Sequence, residues 1–324
     1  MSESRQRKPS ELARLRLFIS LLTALVVASG VALYIHVRAA PPDPRLPVAA
    51  EYGEPGSRYP FTAPPGGSQR AERKSDGRLT VMIRRKDGSV YAEAQGAGEG
   101  KRYDAVEFRD IDARGTDMFV RVLHEVPGPV GAKGEKAICG RDSENPESFR
   151  LNGTLNWRVN LGSIPRGLNR ARVIQNLRFA RRTWIGNMNR CRIADRSRVS
   201  FAYKGTSNAP LARNGVSTVG WGGPTLCGGG PVLACTITYT RANAVVECDT
   251  RFNAAHRSSV NGSTAGPASD IWGIMVHETG HCIGFNHVTG NDNVMSSAFE
   301  SAAEAVSARS LGRGDANGNN RKYP

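Results

Sequence analysis

His277-Glu278-Thr279-Gly280-His281-Cys282-Ile283-Gly284-Phe285-Asn286-His287 is the stretch from which the rest of the 324-residue chain is read. His277 and His281 are four positions apart, so on a helix of about 3.6 residues per turn both imidazoles leave one face and can hold one metal ion. Glu278 follows about 100° further round the helix, which sets its carboxylate beside the open side of the metal, where a general base is needed. Gly284 can adopt the left-handed backbone that ends a helix sharply, turning the chain back so that His287 meets the same ion. Three neutral nitrogens leave a fourth position for water, the pattern of a catalytic zinc, whereas a structural zinc is usually closed by four protein ligands. The plain alternative is a histidine pair satisfied in a core or on a surface. Of the six histidines in the chain, however, three fall within 277–287, and a plain pair gives Gly284 and His287 no reason.

Asn293-Val294-Met295-Ser296-Ser297 supplies a methionine shortly after His287. Together the two runs resemble the H-E-x-x-H-x-x-G-x-x-H signature and Met-turn of the metzincin zinc endopeptidases. Within that family the likeness is to the matrixin group, because Leu311 to Gly318 and then Tyr323-Pro324 resemble its closing helix and Tyr terminus. The resemblance covers about 148–324. It implies an α+β fold: a twisted, mostly parallel sheet, an antiparallel edge strand and an active-site helix. It also implies one catalytic Zn2+ on His277, His281 and His287, with Glu278 as general base and Met295 as an apolar floor beneath the ligands. A zinc ion in such a site lowers the pKa of water toward about 7 and polarises the scissile carbonyl.

Some features of the family are missing. No His- and Asp-rich loop is present, since His256 stands alone in 251–270; a second zinc is therefore not expected, and structural Ca2+ has no support in the sequence. Position 297 is Ser rather than the ligand Tyr of the astacin and serralysin groups. Val288 and Ser296-Ser297-Ala298-Phe299 lack the Pro-x-Tyr wall of animal matrixins, so no side-chain preference carries over.

Upstream, Leu155 to Val159 reads as a strand, Arg170 to Asn187 as a long helix and Val199 to Tyr203 as a second strand. Ala171, Val173, Ile174, Leu177, Ala180 and Trp184 recur at helical spacing as a core stripe, with the intervening arginines on the wet face. Cys235 to Thr240 and Ala244 to Phe252 alternate across Arg241-Ala242-Asn243 and read as a hairpin. By resemblance its first strand is the sheet edge to which an extended polypeptide substrate adds, antiparallel, through main-chain hydrogen bonds.

Leu17 to Ile35 is apolar and uncharged, long enough at about 1.5 Å per residue to cross roughly 28 Å of hydrocarbon. Arg5, Arg7, Lys8, Arg14 and Arg16 precede it, so the positive-inside rule keeps the N terminus in the cytoplasm and exports the rest. The segment is either a retained signal-anchor, making 1–40 a basic tail plus membrane helix, or a cleaved signal that releases the protein. Residues 41–78, rich in Pro, Gly and charge, read as an unfolded tether. Within 79–147, Leu79 to Ile83 and Val90 to Ala94 flank the turn Lys86-Asp87-Gly88-Ser89, and Tyr103 to Phe108 and Met118 to Leu123 add two more strands. This is a small β module or a propeptide, near the lower size limit for a core of its own.

Six cysteines in an exported chain fit disulfides; Cys227–Cys235 is one short-loop guess among fifteen connectivities. Cys139 lies where matrixin propeptides carry their inhibitory cysteine, without the flanking Pro-Arg and Pro-Asp elements, and an oxidised Cys139 could not act in that way. The net charge of +15 is scattered over the chain with no nucleic-acid fold signature, so no nucleic acid partner is expected. The function expected is that of a zinc metalloendopeptidase, membrane-anchored or secreted. An envelope-associated binding protein with a vestigial zinc site is the alternative, against which the intact Glu278 argues.

Overall fold

The computed structural model describes residues 66–73, 79–96, 103–109, 111, 114–125, 139–140, 142–222, 232–262, 268–288, 293–299 and 302–324. The expected membrane segment 17–35, most of the 41–78 tether and Cys227 lie outside these. Among the described residues no helix is long and apolar enough to cross a membrane.

The chain is α+β. Five strands come first: β1 (Ser68–Arg73), β2 (Leu79–Arg84), β3 (Val90–Gly96), β4 (Tyr103–Phe108) and β5 (Thr116–Glu125). Then follow β6 (Thr154–Val159), helix α1 (Arg170–Ile185), β7 (Ser200–Thr206), β8 (Ser217–Gly222), β9 (Val232–Arg241) and β10 (Ala244–Asn253). Two short strands, β11 (Ser258–Ser259) and β12 (Ser269–Asp270), pair with each other and lead into α2 (Ile271–Cys282). A last short strand β13 (Ala298–Phe299) precedes α3 (Ala302–Ser307) and α4 (Arg313–Lys322).

One mixed sheet runs in the order β1-β2-β3-β4-β5-β9-β10-β8-β6-β7, with β13 beside β5. From β10 to β7 the pairs are parallel and from β1 to β10 they are antiparallel, so the sheet as a whole is mixed rather than mostly parallel. Two expectations are corrected here. Strand β9 is not a sheet edge, because β5 pairs with it antiparallel from Thr116↔Arg241 to His124↔Val232. Local alternation reveals that a strand is amphipathic, but its neighbour comes from elsewhere in the chain. Nor is all of 41–78 a tether: Ser68–Arg73 forms β1 on the strength of backbone pairing to β2, which its polar sequence does not advertise.

Both faces of β9 are covered, as its unbroken burial from Val232 to Thr240 shows. Cys235, Ile237 and Tyr239 join Met118, Val120 and Val122 of β5 in one apolar cluster with β2, β3 and β4. On the other face, Ala234 joins Phe119 and Leu123 of β5 and the helices α1 and α2 in the main core. Helix α1 starts at Asn169, whose side chain accepts from Arg172 N, a capping bond that satisfies a free amide. It buries Val173, Leu177, Ala180 and Trp184, while Ala171 is exposed and Ile174 half-buried. Not every arginine of α1 is wet. Arg181 is fully buried against the rings of Phe201 (4.5 Å) and Trp157 (5.5 Å), and burial lowers its guanidinium pKa to about 9.

Disulfides join Cys139 to Cys191 and Cys248 to Cys282, and Cys235 is also oxidised. They suggest an extracytoplasmic location, since cytosolic thiols are kept reduced. They also rule out an inhibitory thiol at Cys139.

Candidate metal centre

Helix α2 is buried almost from end to end, and Asp270 caps it: its carboxylate accepts from Gly273 N at 2.9 Å and pairs with Arg309 at 2.6 Å. Two glycines let the helix pack closely, Gly273 against the backbone of Ala305 and Gly280 against Met295. A Cβ on Gly280 would lie 2.2 Å from Met295 Sδ and 2.9 Å from the Trp184 ring, so Met295 sits against the turn of helix between His277 and His281. The helix ends at Gly284, with φ of +82°, where Phe285 N donates to Gly280 O (3.0 Å) and Gly284 N to His281 O (3.1 Å). These are the two bonds of a Schellman stop. The reversed chain is then held by segment 145–149, as Asn145 donates to His287 O at 2.7 Å and Glu147 N donates to Gly284 O at 2.8 Å.

The three imidazoles converge as the spacing requires. Their Nε2 atoms are 2.9 Å apart for His277 and His281, 3.2 Å for His281 and His287, and 3.3 Å for His277 and His287. A tetrahedral zinc at about 2.0–2.1 Å from each nitrogen sets neighbouring ligands about 3.3–3.4 Å apart, close to two of these separations. The ring orientations sharpen the case. Nδ1 of His277 is 2.7 Å from Val294 O and Nδ1 of His281 is 2.7 Å from Phe285 O. A carbonyl only accepts, so each Nδ1 carries the proton and each neutral ring turns an Nε2 lone pair toward the other. Such facing lone pairs repel until a cation lies between them. Burial lowers the pKa of His277 to about 4 and holds His281 well below the usual range, helped by His277 and by the charge of Arg121. Both rings are therefore in the ligating form at neutral pH.

Glu278 is fully buried beside the histidines. Thr236 Oγ1, on β9, donates to its Oε2 at 2.6 Å, whereas Oε1 has no hydrogen-bond partner among the described residues. Burial pushes the carboxyl pKa up to about 8, against the opposing pull of Thr236. A buried carboxyl with an idle oxygen fits a site that holds a cation and its water. The Met295 segment is fixed from below by Asp315, which accepts from Val294 N (2.7 Å) and Gly312 N (2.9 Å). Val288 N donates to Met295 O at 2.9 Å, tying that segment to the chain leaving His287.

All six residues singled out in the sequence (His277, Glu278, His281, Gly284, His287 and Met295) thus meet in one place. Thr236, Asn145 and Asp315 escaped the sequence reading because each reaches the site from a distant element and belongs to no local spacing. Phe299 is a further neighbour, its ring 5.9 Å from that of His277. Comparison of the sequence with known protein families and with curated proteins gives no match. What the geometry itself establishes is a buried three-histidine cluster, on and just after one helix, fit to hold a metal ion such as zinc.

Proposed function

We propose that this protein is a zinc-dependent endopeptidase that hydrolyses extended polypeptides outside the cytoplasm. The observation that carries the reading is the set of converging Nε2 lone pairs with the Glu278 carboxylate alongside. His277, His281 and His287 would hold the ion. Zinc, when bound, supplies a Lewis acid that acidifies water and polarises a carbonyl. The chain supplies the rest. Glu278 accepts the proton of the attacking water at Oε1 and returns it to the leaving amine, while Thr236 fixes Oε2 so that the carboxylate cannot swing away. The Val294 and Phe285 carbonyls hold the two rings in the tautomer that ligates. Met295 packs beneath the helix as an apolar floor.

The test is to measure zinc and hydrolysis of a disordered protein for the full chain and for Glu278→Gln. Each is assayed untreated and after limited digestion with a serine protease that is then inhibited. Chelator-sensitive cleavage in either preparation, lost in the variant with zinc retained, supports the reading. Stoichiometric zinc with no cleavage in any preparation sinks the peptidase in favour of a binding protein, and folded protein without zinc sinks the site.

A further inference from the structure

The net charge, which reads as scattered over the chain, is concentrated. Residues 148–246 hold 15 Lys and Arg against one acid, Asp195, so they carry +14 of the chain's +15. All but one of these bases are Arg. The fold brings eight of them to one region, and all eight are exposed. Arg170, Arg172, Arg178 and Arg182 are on α1; Arg190, Arg192, Arg196 and Arg198 are on the loop 187–198 that follows it. None of the eight forms an ion pair among the described residues. Asp195 turns its carboxylate to the loop itself, accepting from Ser197 N and Ser197 Oγ, each at 3.0 Å.

Much of this charge works against the helix. Arg170 and Arg172 stand at the positive end of the α1 dipole with no acid in the first turn, and Arg178 and Arg182 are a like-charged pair four residues apart. A face made only for solubility mixes its signs. The loop is pinned in place. Asn189 Oδ1 accepts from Cys191 N and Ile193 N, both at 3.0 Å, and Cys191 is cross-linked to Cys139. Arg196 N and Arg198 N donate to Asn320 Oδ1 and Tyr323 O at the end of α4, each at 2.8 Å. Arg192 has φ of +58°, a left-handed conformation that a residue with a Cβ enters only at a cost. The charges continue into a cleft of about 670 Å³ lined by Arg196, Arg198 and Arg321 together with Asn317 and Asn320. Arg321 is paired with Glu144 and Asp142, whereas the guanidinium groups of Arg196 and Arg198 have no partner among the described residues.

The partner that fits such a face is a chain of anions. Arg presents a planar fork that matches the two free oxygens of a phosphodiester. The charges also follow a path, along about 18 Å of helix from Arg170 to Arg182 and on through the loop to the cleft. A bilayer is flat and rewards apolar side chains that enter it, yet Met188 is the one large apolar side chain of α1 and the loop that stands well exposed. Single-stranded nucleic acid calls for open aromatic faces on which bases stack. Here the rings of Tyr203 and Phe201 lie under Arg178 (5.6 Å) and Arg181 (4.5 Å). We propose that α1 and loop 187–198 bind a linear, phosphodiester-linked glycopolymer outside the cytoplasm and so hold the protein on an anionic matrix. No residue of the metal centre belongs to this face, which binds its polymer whether or not the protein is a peptidase.

The test is to titrate the full chain with fluorescent poly(glycerol phosphate) and follow its anisotropy at several salt concentrations. The unaltered chain should bind, and more weakly as salt rises. A variant combining Arg182→Gln, Arg190→Gln, Arg196→Gln and Arg198→Gln should bind on the order of a hundredfold more weakly, with a flatter salt dependence. A control combining Arg84→Gln, Lys86→Gln, Arg114→Gln and Arg241→Gln removes the same charge from other exposed positions and should bind nearly as the unaltered chain does. Circular dichroism shows that both are folded, and the polymer should raise the melting temperature of the unaltered chain and the control but not of the first variant. Should that variant melt early, Arg190→Gln and Arg198→Gln made singly carry the same comparison with smaller losses. Equal weakening in the variant and the control would reduce the effect to net charge and overturn the face. Tighter binding, at the same salt, to polygalacturonate, phosphatidylglycerol vesicles or single-stranded DNA would overturn the partner, and no binding of the polymer at about 50 mM salt would overturn both.

Discussion

At Glu278 two opposed influences meet, burial raising the carboxyl pKa and the Thr236 hydroxyl lowering it. Thr236→Val removes the second at almost constant volume. Because a general base works only when deprotonated, the acid limb of the rate profile should move to higher pH by about one to two units, a hydrogen bond to a charge being worth about 1.5–3 kcal/mol. A bound cation would lower the carboxyl in both proteins alike and leave their order unaffected; coincident limbs would remove Thr236 from the mechanism. The metal-free chain gives a second reading of the same group. A carboxyl that titrates at about 8 when folded and near 4.5 when unfolded binds more protons in the folded state between those values, so stability falls as pH rises through that window. His277, lowered from 6.5 to about 4, acts in the other direction, and stability falls as pH drops from 6.5 toward 4. Thermal melting of chelated protein from pH 4 to 9 should therefore show losses at both ends. Glu278→Gln should shrink the alkaline loss, leaving the part due to Asp315, also raised by burial, and keep the acid one. An unchanged alkaline slope would contradict the buried carboxyl.

The elements differ in how openly the sequence declares them. Helix α1 and strand β6 each bury one face, and a local period shows it; β9 and β10 alternate in sequence although both their faces are covered, and β7 is at most half-buried. Helix α2 was legible for another reason: histidines at fixed spacing and a glycine stop are both local requirements. Strand β1 was not legible, because Ser68–Arg73 is held by its neighbour's backbone rather than by an apolar face. The same limit hid the junction of β5 with β9. Buried Arg181 defeated the pattern of wet arginines, since rings from β6 and β7, invisible from α1, receive it. Gly284 offers the sharpest test at this scale. At φ of +82°, with Phe149 O only 2.4 Å from an added Cβ, Gly284→Ala combines backbone strain with a clash. The expected loss is at least about 1–3 kcal/mol in denaturant titration, together with weaker zinc binding because His287 is displaced. An alanine variant with normal stability and zinc affinity would show that the turn is dispensable.

For the molecule as a whole, the Cys248–Cys282 disulfide links β10 to the last residue of α2. It closes a sequence separation of 34 residues, for which loop entropy predicts about 2–4 kcal/mol. Replacing both cysteines by Ala should lower the unfolding free energy by that amount and loosen zinc, measured by competition with a coloured chelator, since His281 is the neighbour of Cys282. Loss of stability with zinc affinity intact would confine the crosslink to the scaffold. There is also a consequence for the order of events in a cell. A chain still among reducing thiols has the ligands but not the clamp on the helix that presents them. On the peptidase reading, its hold on metal is then weaker until oxidation, and a newly made molecule is a lesser hazard to the proteins around the ribosome.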